Sequence, residues 1–180
     1  MTIALCVGGA VVYLYILPQI SLQTYDQNDI YFKYPEDWQI WEGPPDLAKH
    51  MAVADLLIVK SNRLSTNLGV KRDQMEGNKL NIEESLVILE KQLQEYMSDF
   101  EKIAYQNIIV SGEKAIDYTF KYSLKEATGA GGIAKWYGQQ RQVIFFKNGT
   151  LYTLIFTAEP SDFDKDNKDF SHLLKTFRAK

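Results

Sequence analysis

Residues Gln139–Ala158, QQRQVIFFKNGTLYTLIFTA, contain two apolar runs separated by an Asn-Gly pair. Asn148-Gly149 between two β-rich runs predicts a hairpin, because both residue types tolerate a positive φ angle. Val143–Phe146 and Leu154–Phe156 are apolar at consecutive positions, so both faces of these strands are expected to be buried. Such a sheet needs cover on both sides, and the sequence therefore predicts an α/β/α sandwich with a mainly antiparallel central sheet.

Two helices are predicted to provide this cover. Asn81–Phe100 has apolar residues at three- and four-residue spacing, and Asn81 with Glu84 resembles a capping box. A second helix is expected to begin near Ser161-Asp162, where an acidic residue suits a helix start. Its apolar residues are Phe163, Phe170, Leu173 and Leu174. Residues Thr176–Arg178 are predicted to return as a short edge strand.

Further strands are indicated by β-rich runs between Pro, Gly and Asn residues. These runs are Ile30–Tyr34, Trp38–Glu42, Met51–Val59 and Leu68–Arg72. A second hairpin is predicted from Tyr105–Val110 and Ala115–Leu124, joined by the four-residue turn Ser111–Lys114. Glu126–Ile133, EATGAGGI, is expected to be a flexible loop between the two hairpins.

The first 25 residues contain no charged side chain. Ile3–Leu17 is continuously apolar apart from Gly8-Gly9, and a helix of this length is just long enough to span a bilayer. A retained signal-anchor helix fits best, because no basic residue precedes the run and no small-x-small cleavage site follows it. A cleaved signal peptide, a lipoprotein signal and a buried core helix are the alternatives. The residues expected to contact lipid are Ile3, Leu5, Val7, Val11, Val12, Leu14, Ile16 and Leu17.

The sequence thus divides into a transmembrane helix over residues 1–20, a polar linker over residues 21–28 and a folded domain over residues 29–180. The segment after the apolar run is poor in Lys and Arg. The positive-inside rule therefore places the folded domain outside the cytoplasm.

Composition excludes several classes of protein. The 180 residues suffice for one domain with a full core, and 46% hydrophobic residues exclude intrinsic disorder. The net charge is −3 and there is no basic stripe, so nucleic acid is not an expected partner. The single cysteine, Cys6, excludes an internal disulfide framework and any zinc site built from cysteines.

The sequence contains no recognisable catalytic constellation and predicts no enzyme, metal or cofactor. His50 and His172 are the two histidines, expected in a loop and on a helix surface. The aspartates at 162, 164, 166 and 169 are best explained as helix-start acidity, since the EF-hand glycine and closing glutamate are missing. The glycines at 129, 131 and 132 lack the Lys-Ser or Lys-Thr of a phosphate loop.

Tryptophan and tyrosine are the residues most suited to anchor a protein partner. Trp38 is expected to close one end of the sheet. Trp136 and Tyr137 follow the Gly-rich loop directly, so the predicted protein-contact residues are Trp136, Tyr137, Gly129, Gly131 and Gly132.

Tyr31–Trp38, YFKYPEDW, resembles the opening of PsbP-like domains, in which an aromatic strand precedes a Tyr-Pro-x-x-Trp turn. Gln142–Tyr152 resembles the last central hairpin of that superfamily, and a closing Leu-Leu-Lys-Thr-Phe follows at residues 173–177. The resemblance spans Asp29–Arg178. It implies an α/β/α sandwich and an extracytoplasmic accessory role, as in lumenal extrinsic or assembly proteins of photosystem II, and it transfers no catalytic residue.

The function expected from these features is that of a non-enzymatic, membrane-anchored accessory subunit or assembly factor. Its partners would be an integral membrane protein complex and the lipid bilayer. The complex would be bound through the N-terminal helix and the folded domain, in a thylakoid lumen or periplasm. The alternative is a stand-alone envelope protein that binds a small ligand or a metal ion.

Overall fold

The computed structural model describes residues 2–7, 10–15, 21–42, 54–75, 82–127 and 133–180. These residues form twelve strands and two helices. In chain order they are β1 (Thr2–Val7), β2 (Ala10–Tyr15), β3 (Leu22–Gln27), β4 (Ile30–Pro35), β5 (Trp38–Ile40), β6 (Leu56–Lys60), β7 (Arg63–Gln74), α1 (Ile82–Tyr96), β8 (Ser98–Val110), β9 (Glu113–Ala127), β10 (Ile133–Lys147), β11 (Thr150–Ala158), α2 (Pro160–Thr176) and β12 (Arg178–Ala179).

The main sheet has seven strands in the order β5-β6-β7-β11-β10-β9-β8, and every neighbouring pair is antiparallel. A second sheet has three strands in the order β12-β4-β3, and β1 pairs with β2 in a separate hairpin. The prediction of a mainly antiparallel sheet is confirmed, and the fold is an α/β fold with two helices.

The first face of the main sheet packs against α2 and the three-stranded sheet. Aromatic side chains fill this first core: Phe32 comes from β4, Phe156 from β11 and Phe170 from α2. Phe156 and Phe170 stack with ring centroids 5.8 Å apart, and each of these three residues is at most 1% exposed. The predicted apolar residues of the second helix therefore lie in the core.

The second face of the main sheet packs against α1. Leu86 of α1 lies in a second core with Ile116 and Phe120 of β9. Along β10, Val143 and Phe145 belong to the first core, whereas Ile144 between them belongs to the second. Alternating side chains of one strand point to opposite faces, so two-sided cover explains the consecutive apolar residues that the sequence shows.

Two buried tyrosines of this sheet, Tyr118 and Tyr122, make the folding stability depend on pH in the alkaline range. Burial raises the pKa of Tyr122, and burial followed by the charge of Glu90 raises that of Tyr118. A raised pKa contributes stability that is present below the ordinary value near 10 and is lost as pH rises, because only the unfolded chain ionises.

We therefore expect the free energy of unfolding to fall above pH 10, by up to about 1.4 kcal/mol per pH unit for each buried tyrosine. Urea unfolding at pH 7, 9 and 10.5 measures this fall. Tyr122→Phe should make the decline shallower, whereas an equal decline in the variant would contradict the assignment to Tyr122.

Both predicted hairpin turns are present, and each has two residues. Asn148 and Gly149 have φ angles of 50° and 81°, as an Asn-Gly turn between twisted strands requires. The turn between β8 and β9 is Ser111-Gly112, with φ angles of 53° and 84°. The predicted four-residue turn is too long here, because Glu113 and Lys114 already pair within the hairpin.

The predicted transmembrane helix over residues 1–20 is wrong where the structure describes the chain. Ile3, Leu5 and Val7 lie on β1, and Val11, Val12 and Leu14 lie on β2. Ile16 and Leu17 lie outside the described residues. The segment is rich in β-branched and aromatic residues, and in the sequence Gly8-Gly9 stands between Thr2–Val7 and Ala10–Tyr15, two strands of six residues each, which is a hairpin pattern. Neither helix among the described residues has the length and apolarity needed to cross a bilayer.

The predicted linker over residues 21–28 is wrong as well, because Leu22–Gln27 forms β3 and pairs along its whole length with β4. The pair turns at Asn28 and Asp29, whose φ angles are 53° and 61°. Asn and Asp tolerate this left-handed conformation because their short polar side chains can bond locally.

The first predicted helix is shorter than its apolar pattern suggests. It ends at Tyr96, and Ser98 already begins β8, in which Phe100 packs against the second core as a strand residue. Asn81, the predicted cap, lies outside the described residues. The fourth predicted strand, at 68–72, is longer than expected and runs over Arg63–Gln74.

A helix and a short edge strand close the chain as predicted, but the strand is Arg178–Ala179 and not Thr176–Arg178, because α2 continues to Thr176. Pro160 occupies the first turn of α2, where its missing N–H costs no hydrogen bond. After α2 the chain returns as β12, which pairs with Ile30 and Tyr31 of β4 at the edge of the three-stranded sheet.

Candidate protein-contact surface

The predicted contact residues Trp136 and Tyr137 lie near the start of β10, shortly after the Gly-rich loop in the sequence. Trp136 and Tyr137 are consecutive strand residues, so their side chains lie on opposite faces of the sheet. The structure therefore separates two residues that the sequence grouped as one contact. Gly129, Gly131 and Gly132 lie outside the described residues.

Trp136 packs within the protein. Its ring meets Tyr122 edge-on, with centroids 5.7 Å apart, at the margin of the second core. The indole also covers Gly138, where an added Cβ would lie 2.5 and 2.6 Å from indole carbons and 2.8 Å from Tyr122. Glycine at 138 thus makes room for the indole, and Trp136 acts through packing.

Tyr137 lies on the first face of the sheet, beyond the part that α2 covers, and it is 55% exposed. The Lys135 ammonium lies 5.2 Å from the centroid of the Tyr137 ring, a cation–π distance. Lys135 also pairs with Asp99, which accepts a hydrogen bond of 2.8 Å from the Ser123 hydroxyl. The exposed tyrosine ring therefore packs against a lysine that is itself paired with Asp99.

The surroundings of Tyr137 are basic. Lys125 faces Lys135 across the β9–β10 pair, and Lys121 lies two positions along from Ser123, which faces Tyr137. Ile133, on the same face, is 76% exposed. We call Lys121, Lys125, Ile133, Lys135 and Tyr137 the Tyr137 surface.

Asp99 is the main counter-charge of this surface. Its hydrogen bond with Lys135 raises the pKa of Lys135, and bonds from Lys135 and Ser123 lower the pKa of Asp99. Asp99 has a φ angle of 50° and stands at an irregularity in the β8–β9 pairing. No local sequence pattern indicates this arrangement, because it depends on pairing between β8 and β9.

A buried charge network joins β6 and β7 to α2. The Lys60 ammonium donates to Asp166 at 2.8 Å and lies 3.3 Å from Asp37 and 3.6 Å from Asp169. Burial lowers the pKa of Lys60, but the bond to Asp166 and the neighbouring carboxylates outweigh it, so the pKa is raised. Trp38 is fully buried and donates from Nε1 to Asp169 at 3.1 Å.

Arg63 completes this network. Its guanidinium lies 2.5 Å from Asp162 and 2.8 Å from Asp166, and the hydrogen bond lowers the pKa of Asp162. Helix-start acidity is therefore an incomplete explanation of the aspartate cluster. Asp166 and Asp169 point inwards to bind cations, whereas Asp164 is exposed.

A second buried pair joins α2 to the opposite half of the sheet. Arg141 binds both carboxylate oxygens of Asp117, at 2.7 and 2.8 Å, and also donates to Asn167 and Ser171 of α2. Its guanidinium lies 5.4 Å from the centroid of the Phe170 ring. Sequence reasoning missed both networks, because each joins residues that are distant along the chain.

The histidines and carboxylates that the structure describes are not clustered as metal ligands. Among the described residues, no group of three or more His, Cys, Asp or Glu side chains is placed to hold a metal ion. His172 lies half-buried on α2, so its predicted place on a helix is correct. His50 lies outside the described residues.

Comparison with known proteins settles the family. The sequence profile described as PsbP matches residues 20–179. The chain belongs to the PsbP family. This match confirms the resemblance expected from Tyr31–Trp38 and Gln142–Tyr152. No protein in a search of curated proteins matches this PsbP-family chain.

Solved structures share the fold of this PsbP domain at low sequence identity. Cyanobacterial PsbP (CyanoP) from Synechocystis sp. PCC 6803 matches with a TM-score of 0.63 at 13% identity, over 93% of this chain and 97% of that one. LpqN, involved in cell envelope biogenesis of Mycobacterium tuberculosis, gives 0.56 at 12%, over 89% and 91%. The Saccharomyces cerevisiae Ran-binding protein Mog1p gives 0.56 at 8%, over 89% and 96%.

Members of the PsbP-like family share a general location and role. PsbP-like proteins are lumenal or extracytoplasmic and are generally non-enzymatic accessory proteins. PsbP-type members are linked to photosystem II. The structural neighbours extend beyond photosynthesis, so the fold by itself does not name a partner.

Proposed function

We propose that this PsbP-family chain is a non-enzymatic accessory subunit or assembly factor that docks on the extracytoplasmic side of a membrane protein complex. In a photosynthetic cell this complex is a photosystem. The Tyr137 surface is the docking surface. The observation that carries the proposal is an exposed tyrosine, held under Lys135, on a part of the sheet face that α2 leaves open.

The chemistry of the Tyr137 surface suits an acidic partner. Three lysines lie on this part of the sheet face, where Asp99 pairs with Lys135 and Glu101 of β8 stands opposite Lys121. A tyrosine supplies a large apolar contact area with few rotatable bonds, which is the usual composition of an energetic centre in an interface. Lysines around it speed association with an acidic surface, and salt weakens their effect.

Binding of a small ligand, the alternative function, has one cavity in its favour. About 510 Å³ of polar space lies beside Asn28, Asp55, Arg72 and Lys180. The Arg72 guanidinium lies 3.6 Å from the Asp55 carboxylate and donates to the Asn28 carbonyl at 2.9 Å, and the Arg72 backbone N–H donates to the same carboxylate at 2.7 Å. Because its charged groups bind one another, this cavity supports the alternative less well than Tyr137 supports docking.

Co-purification of the tagged chain from detergent-solubilised membranes tests the proposal. Tyr137→Ala is expected to weaken retention of the partner complex about tenfold or more, as loss of an interface centre does. Raised salt should weaken the wild-type complex further.

Tyr96→Ala is the matched control, because Tyr96 is 82% exposed at the end of α1 on the other face of the sheet. It should retain the complex fully. Equal retention by both variants, or a wild-type chain that purifies alone, would contradict docking through Tyr137.

A further inference from the structure

The outer edge of β8 is a pairing surface. β8 is the last strand of the main sheet, and no other described strand pairs with its outer side. An edge strand leaves a row of N–H and C=O groups open to another strand. Natural edges are usually blunted by charges or bulges, and the first half of β8 has both, with Glu101, Lys102 and two irregularities in its pairing.

The second half of β8 has neither protection. From Ile103 to Val110 the sequence IAYQNIIV carries no charge, and Tyr105–Val110 pairs regularly with β9. Tyr105 is 42% exposed and Ile109 is 66% exposed, and Asn107 between them is exposed as well. This combination of a regular, uncharged and exposed edge favours addition of a further strand.

The hairpin turn fixes which backbone groups are open. Val110 and Glu113 flank the two-residue turn and therefore form a hydrogen-bonded pair. Hydrogen-bonded and non-bonded pairs alternate along an antiparallel ladder, so the N–H and C=O groups of Tyr105, Asn107 and Ile109 point away from β9.

We propose that this edge binds β8 of a second copy of the chain, antiparallel and with Asn107 on the two-fold axis. In this register Asn107 faces Asn107 of the second copy, and Tyr105 faces its Ile109. Each of the three facing pairs brings outward backbone groups together, so each can exchange two hydrogen bonds. The two seven-stranded sheets then form one continuous sheet.

The side chains also match in this register. Tyr105, Asn107 and Ile109 lie on the second face, because they face Tyr118, Ile116 and Lys114 of β9. The two Tyr–Ile pairs across the axis are of the aromatic and β-branched kind that stabilises neighbouring strands. Glu101 and Lys102 precede the paired segment, and the Lys102 ammonium lies 5.3 Å from the centroid of the Tyr105 ring.

A groove with a volume of about 710 Å³ lies beside Ile109, where the tyrosine of the second copy would lie. Its lining is apolar at Ile82, Ile109 and Phe146 and polar at Glu83, Asn107 and Lys114. Val87 is 66% exposed, and it lies on the same side of α1 as Glu83 and Glu90, which are both beside β8. Pairing of two copies would cover part of the apolar surface that Ile82, Val87 and Ile109 form, and a stable dimer buries such a surface.

Opposite charges at residue 107 test the register. Asn107→Asp and Asn107→Lys each place two like charges face to face on the axis, and each should weaken self-association about fivefold or more. An equimolar mixture of the two variants should restore it as a mixed dimer. Sedimentation of the full chain in a non-ionic detergent measures the dimer, and capture of untagged Lys variant by tagged Asp variant measures the mixture.

Gln39→Asp and Gln39→Lys are the controls, because Gln39 is exposed on β5 at the opposite edge of the same sheet. They should dimerise like the wild type. A wild-type chain that stays monomeric at its highest soluble concentration overturns the proposal. A monomer whose β8 edge binds a strand of another protein overturns it as well. Dimers that both Asn107 variants retain, or that mixing does not restore, overturn it too.

Discussion

Replacing Asp166 with Asn is expected to lower the free energy of unfolding by about 3–5 kcal/mol, the cost of breaking a buried ion pair from one side. Asp166 is 1% exposed and binds Lys60 and Arg63 with its two carboxylate oxygens, each at 2.8 Å. An amide has no negative charge and only one acceptor oxygen, so it cannot satisfy both cations.

The effect falls on the packing of α2, because Asp166 is the residue of this helix that binds Lys60 of β6 and Arg63 of β7 at the same time. Asp37 and Asp169 remain near Lys60, which places the expected loss towards the lower end of the range. Urea unfolding followed by far-UV circular dichroism at pH 7 measures it.

Asp164→Asn provides the matched control, since Asp164 is exposed on the same helix. This variant should change stability by no more than about 0.5 kcal/mol. A double-mutant cycle with Arg63→Met then isolates the pair, and the two losses should be clearly non-additive. If the Asp166 and Asp164 variants lose equal stability, the network does not hold α2.

Gly138→Ala is expected to cost about 1–3 kcal/mol, as overpacking of a well-packed site does. The new methyl group would lie 2.5 Å from an indole carbon of Trp136 and 2.8 Å from Tyr122. The indole must leave its place, and its edge-on contact with Tyr122 is lost. Ordinarily alanine is the better strand residue, so the sign of the effect is itself informative.

Tryptophan fluorescence and urea unfolding report the two parts of this prediction, the moved ring and the lost stability. The same substitution in a Trp136→Leu background should cost much less, because the clash is with the indole. A wild-type emission spectrum and unchanged stability in the single variant would show that the indole does not depend on Gly138.

Strand alternation predicts that Trp136 and Tyr137 lie on opposite faces, but it does not predict which of the two is exposed. Trp136 and Tyr137 are adjacent in sequence, and once β10 is recognised as a strand they must lie on opposite faces. Which of the two is exposed depends on Tyr122 and Gly138, because these residues accommodate the indole on the second face. Local patterns alone therefore group Tyr137 with a residue whose ring packs inside the protein.

The two N-terminal corrections have a common cause. The apolar run at 3–17 satisfies the length of a membrane helix, yet its β-branched and aromatic residues also suit two short strands around Gly8-Gly9. In the same way, polar residues at 22–27 suit a linker and also an edge strand paired on one side with β4. Apolarity and polarity describe the environment of a segment, whereas pairing partners decide its conformation.

Local patterns were enough to predict the antiparallel hairpins, the two-sided burial of β10 and β11 and the PsbP family, because these depend on neighbouring residues and on alternation along single strands. Tertiary structure alone decided the role of the aspartates in α2, the partner of Arg141 and the open edge of β8. Those features join residues such as Lys60 and Asp166, which are 106 positions apart, and only the packing of α2 on the sheet brings them within hydrogen-bond distance.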